Sequence, residues 1–91
     1  MLINIVYQDI KYNMNVEKEE TLTEIKQFFI TTFKLNVKNK DLLSWSEGNT
    51  PLIDDKKTLQ YYNMWYENIT LYFGNEYPEQ VQNILKYYID T

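Results

Sequence analysis

Between Thr21 and Lys34 the sequence carries one strongly periodic segment, and it limits what the rest of the chain can build. Thr21 followed three residues later by Glu24 has the form of a capping box, in which hydroxyl and carboxylate each accept a backbone N–H that the first helical turn leaves unpaired. Leu22, Ile25, Phe29 and Phe33 recur at the three- and four-residue spacing of a single stripe, while Thr23, Lys26, Gln27 and Lys34 fall largely elsewhere. Such a stripe has to be buried against something. No other segment before residue 78 has this period, and most of the flanking sequence alternates like strand. The expectation is one helix laid across a mixed sheet.

The remaining segments supply that sheet. Leu2 to Tyr7 is a β-rich run, and Tyr12, Met14 and Val16 alternate with Lys11, Asn13 and Asn15 in a second. The short connection Gln8 to Lys11 makes them a hairpin with Ile3, Ile5 and Tyr7 facing inward and Leu2, Asn4 and Val6 outward. After the helix, Leu42 to Trp45 reads as a short strand with Leu43 and Trp45 on its inner side. Ser46 to Pro51 is a turn, and Leu52 with Ile53 a very short strand. A brief helical turn over 57–63 directs Leu59 and Tyr62 inward. Ile69, Leu71 and Phe73 then alternate with Asn68, Thr70 and Tyr72, and their apolar inner face suits a central strand under the helix. Pro78 opens a last amphipathic helix marked by Val81, Ile84, Leu85 and Tyr88, to which the sequence gives no place in the core.

Composition narrows the chemistry. Ninety-one residues form one domain, able to hide roughly two thirds of its unfolded surface. Cysteine, histidine and arginine are all absent, which removes thiolate and imidazole metal sites, the usual general base near neutral pH, and the bidentate fork used on phosphates. No cofactor is expected. The carboxylates of 17–20 precede a helix N-terminus and read as complementing its dipole rather than as metal ligands. Asp54 and Asp55 could have the form of an acid/base pair, but neighbours in a turn rarely share a site, and they read as solvated. A net charge of −4 with lysine as the only cation disfavours nucleic acid and anionic membranes. The N-terminal apolar run is too short and uncharged for a signal peptide and nothing approaches membrane-spanning length, so the cytoplasm or nucleus is the expected compartment.

Three stretches resemble ubiquitin and ubiquitin-like domains: Glu20 to Lys26 resembles the family's helix entry, Leu43-Ser44-Trp45 with Leu52 its third and fourth strands, and Thr58 to Met64 the turn before its last strand. The resemblance implies an α+β, ubiquitin-like β-grasp fold, with a mixed five-stranded sheet packed on one main helix. It covers 1–74, leaving 75–91 as a C-terminal extension bearing the short helix. It also implies an apolar binding patch on the sheet face away from the helix. Carried over by position, that patch takes Ile10 in the hairpin, Ser44 at the centre and Tyr72 on the last strand, with Val6 and Leu42 around them.

The departures bear most on function. A conjugated modifier needs a flexible tail ending in glycine, whereas the only candidate, Gly74, follows directly on the strand residue Phe73. The leading reading is a non-conjugated, non-catalytic protein–protein interaction module, an adaptor domain or a subunit of a hetero-complex. The alternative is a ubiquitin-like modifier processed after Gly74 and conjugated to lysines. Surplus aromatic residues favour a protein partner, because Tyr and Trp concentrate at the energetic centres of interfaces. Trp65, Tyr66 and Tyr77 join Val81, Ile84, Leu85 and Tyr88 as candidate contacts on this ground.

Overall fold

Helix α1 (Leu22–Thr32) starts where its capping box places it. The Glu24 N–H donates to the Thr21 hydroxyl at 3.2 Å, and the Thr21 N–H donates to the Glu24 carboxylate at 3.0 Å. At the other end the Phe33 N–H donates to the Phe29 carbonyl, and Lys34 leaves the helix in a left-handed conformation, φ 54°. The structure is a computed structural model and describes residues 1–89.

Strands β1 (Leu2–Tyr7), β2 (Ile10–Asn15), β3 (Leu43–Ser46) and β4 (Thr70–Gly74) form one sheet in the order β2-β1-β4-β3. The central pair β1 and β4 runs parallel, and each edge strand is antiparallel to its neighbour. The sheet therefore has four strands among the described residues, not the expected five. Pro51 makes only an isolated bridge to Trp45, the Leu52 N–H donates to Ser44, and Leu52 then turns into the core while Ile53 stays exposed. The bonds that flank this bridge, Ser46 N–H to Thr50 and Leu52 N–H to Ser44, make no use of a Pro51 N–H, and the pairing ends at Leu52. The expected helical turn over 57–63 is a run of hydrogen-bonded turns, with Leu59 buried and Tyr62 half-buried.

The inner faces of the two central strands meet the helical stripe. Ile3, Ile5, Ile69, Leu71 and Phe73 share one buried cluster with Leu22, Ile25 and Phe29, and Phe33 packs against it. Phe29 is the hub of an aromatic group, its ring centroid 5.0 Å from Tyr12, 5.2 Å from Phe73, 5.3 Å from Phe33 and 6.1 Å from Tyr7. Mostly edge-on and tilted arrangements like these suit aromatic quadrupoles and add to what burial alone contributes.

The hairpin connection is shorter than expected, because β2 begins at Ile10 and only Gln8 and Asp9 turn the chain. Both have positive φ, 52° and 63°, the geometry of a two-residue turn that favours Asn-Gly. A side chain at Asp9 opposes this conformation. Replacing Asp9 by glycine should raise unfolding free energy by about 0.5–1 kcal/mol, read from urea midpoints; an unchanged or lower midpoint would show that the turn is not strained.

Candidate protein-binding surface

The sheet face opposite α1 is set by the register of β3 against β4. Ser44 pairs with Phe73 and Trp45 with Tyr72, so Leu42 and Ser44 point toward α1 while Leu43 and Trp45 point away. This reverses the expected phase of β3. A one-residue shift in pairing exchanges the faces of every side chain on a strand, and here it removes Leu42 and Ser44, 1% and 0% exposed, from the outer face. The Ser44 hydroxyl is satisfied inside the protein by the Leu52 carbonyl at 3.5 Å. The large aromatic residue that this edge strand turns outward is Trp45.

Trp45 sits in an aromatic group of its own, apart from the main core. Its ring stacks on Tyr72 at 6.1 Å with 13° between planes, and Tyr77 meets it edge-on at 5.8 Å. Gly74 lies directly beneath the indole: a Cβ there would come 2.8 Å from the ring atom Cη2. Only glycine allows that approach without displacing the tryptophan. Beyond Tyr77, helix α2 (Glu79–Ile89) begins with the Val81 and Gln82 N–H groups donating to the Pro78 carbonyl. Val81 is wholly buried although it is not part of the main core, and Ile84 and Leu85 are half-buried. The last helix thus has a packed apolar stripe, which the sequence alone could not assign.

The other expected contacts are scattered. Val6 is half-buried on the outer face, in register with Tyr72 across the parallel ladder. Ile10 is exposed at the hairpin end, paired with Tyr7 rather than with the outer row. Trp65 packs half-buried against the main core, and Tyr66 is exposed beyond it. Tyr88 is exposed on α2. Tyr72 and Tyr77 therefore meet Trp45, with Val6 on the far side of Tyr72 in the same row, whereas Ile10, Trp65, Tyr66 and Tyr88 lie elsewhere. Strict alternation through Leu42 and Ser44 was the signal for Trp45, but it required a serine to be read as an inward residue.

A second correction concerns charge. Lys26, read as lying off the buried stripe, is 1% exposed, and its ammonium donates to the Asp55 carboxylate at 2.8 Å. Asp55 is a structural ion-pair partner, not a solvated turn residue. Asp54 accepts the Lys56 N–H, while the Asp54 N–H donates to the Tyr62 hydroxyl, which in turn donates to the Asp54 carbonyl. Burial raises the Tyr62 phenol above its ordinary value of 10.0, against the lowering effect of its backbone bond, and the Asp54 charge raises it further. Burial also raises Tyr77, with the charge of Asp55 adding to it.

These two phenols hold their protons more tightly folded than unfolded, so their contribution is complete below about pH 10 and is lost as pH rises through their folded values. Melting temperature should fall from about pH 10 upward, and fall less steeply in the Tyr62→Phe/Tyr77→Phe chain. Parallel slopes for the two proteins would place the alkaline sensitivity elsewhere.

Comparison with known proteins bears on the fold. No protein-family model and no curated protein sequence matches the chain. Among solved structures it is similar to the ubl5 domain from the polyubiquitin locus of T. thermophila, with a TM-score of 0.69 and 26% identity over 86% of this chain and 95% of that one. It is also similar to the ubiquitin-like domain of an Arabidopsis thaliana protein, with a TM-score of 0.67 and 18% identity over 80% of this chain and 73% of that one.

Proposed function

The chain has a ubiquitin-like β-grasp fold, and from that premise we propose that it is a non-catalytic protein–protein interaction module, an adaptor domain or subunit whose contacts centre on the outer sheet face and α2. The observation that carries this reading is the Trp45, Tyr72 and Tyr77 group. These are large aromatic side chains gathered on the side of the sheet that the main core does not use, of the residue types that concentrate at the energetic centres of interfaces.

The position of Gly74 supports the non-conjugated form. It is the last residue of β4, paired with Leu43 and covered by the indole, so a chain ending there would have no free tail. Likeness to a domain from a polyubiquitin locus favours the second reading, a modifier processed after Gly74. Intact mass in the native cell separates the two: an unprocessed C-terminus is expected, and a species ending at Gly74 or a ladder of lysine adducts would replace the first reading with the second.

Docking through the sheet face has its own test. Affinity capture from native extract with the Val6→Glu/Tyr72→Glu chain should lose the partners held by the unaltered protein, at a cost of at least about tenfold in affinity for two charges placed in a desolvated interface. Retention of every partner would remove the outer face from the proposal.

A further inference from the structure

Gly74 ends β4, and its φ is not positive. What glycine supplies at this position is therefore space, not conformational freedom. The Trp45 indole takes that space: a Cβ on Gly74 would lie 2.8 Å from Cη2 and 3.3 Å from Cζ3. Three residues of one short stretch meet this ring, Tyr72 stacked on it, Gly74 against its ring atoms, and Tyr77 edge-on after a bend at 75–76. From the α1 side of the sheet, the Tyr7 hydroxyl donates to the Asn75 side-chain carbonyl at 3.4 Å. The chain leaving β4 is thus held from both faces of the sheet.

We propose that residues 72–77 form a clasp closed around Trp45, which ties the C-terminal extension to the sheet and withholds the Gly74–Asn75 bond and its neighbours from endoproteases until the clasp opens. The proposal rests on the non-conjugated reading of Gly74 and gives that reading a physical cause. An endoprotease draws the chain on both sides of the bond it cuts into its own cleft. Here Gly74 is paired with Leu43 in the sheet, and Tyr77 is fixed against the indole three residues on. Neither side can be drawn out while both contacts stand, so cutting follows the population of the opened chain. Each part of the clasp has one requirement: no Cβ at 74, and an aromatic ring at 77.

The test digests the full chain with an endoprotease specific for glutamyl bonds and reads the fragments by mass. Glu76 is exposed and lies inside the clasp, so its bond to Tyr77 reports opening, while Glu24 in α1 reports unfolding of the domain. In the unaltered chain, release of 77–91 should be slow and should rise with urea in step with the cut after Glu24. Tyr77→Ala should speed the cut after Glu76 at least about tenfold without urea and leave the cut after Glu24 unchanged. Gly74→Ala, which drives a Cβ into the indole, should act in the same direction. The proposal is overturned if neither variant changes the cut after Glu76, or if both cuts accelerate equally. Hydrogen exchange on the unaltered chain needs no variant: the Val81 and Gln82 amides, bonded to the Pro78 carbonyl, should open only with those of Leu71 and Phe73. Exchange far ahead of the sheet would equally overturn the clasp. Failure here is distinct from failure of the functional reading. A purified chain cut readily after Glu76 yet unprocessed in its native cell loses the clasp and keeps the non-conjugated reading; a resistant purified chain found ending at Gly74 in the cell keeps the clasp and loses that reading.

Discussion

Replacing Phe29 by alanine should cost about 3–5 kcal/mol of unfolding free energy, a large share of the roughly 5–15 kcal/mol that a domain of this kind possesses. Phe29 is 0% exposed and touches rings from β1, β2, β4 and the end of its own helix, so its removal empties the place where α1 is fastened to three strands at once. The surrounding rings are themselves anchored on separate strands and cannot close the cavity together. Its neighbour gives the control. Phe28 is 46% exposed, and alanine there should change stability by no more than about 0.5 kcal/mol. Urea denaturation of both variants checks the pair: a loss below about 2 kcal/mol for Phe29, or equal losses for the two, would mean that the helix is not held through this ring.

The second large effect lies at the Lys26–Asp55 pair. Asp55→Ala should destabilise by about 3 kcal/mol, because it leaves an ammonium buried without its counter-charge. The side chains are 2% and 34% exposed, so the desolvation cost falls almost wholly on the lysine. That asymmetry sets the order of the variants. Lys26→Met keeps the stem's packing and leaves only a half-exposed carboxylate, so it should cost less than Asp55→Ala. The double variant Lys26→Met/Asp55→Leu should recover most of the loss, since a buried ion pair replaced by apolar side chains of similar volume is often neutral. Additive losses in the double variant would show that the two groups are not coupled.

The first effect concerns the packing that the sequence describes well; the second does not, since Lys26 falls off the apolar stripe and Asp55 reads as a solvated turn residue. The capping box, the stripe of Leu22, Ile25 and Phe29, and the alternation of Ile3 and Ile5 or Leu71 and Phe73 are local signals, each fixed by a period of 3.6 or 2 residues. They were enough to bring α1 onto the central strands. The β3 segment was read in the wrong phase for a definite reason. Leu42-Leu43-Ser44-Trp45 offers leucine to either face, so the choice rested on serine against tryptophan, and hydrophobicity alone puts the tryptophan toward α1.

What the amino-acid sequence determined by itself is the helix, its cap, its buried stripe and the strands that meet it, because these follow from periodicity within a few consecutive residues. Tertiary structure alone decided the rest. Trp45 can face outward because Tyr72 and Tyr77 cover it, Ser44 can face inward because the Leu52 carbonyl accepts a hydrogen bond from its hydroxyl, and Lys26 can be buried because Asp55 arrives from a distant turn. In each case the energy that settles the side chain's direction comes from a residue far along the chain, and no local pattern carries it.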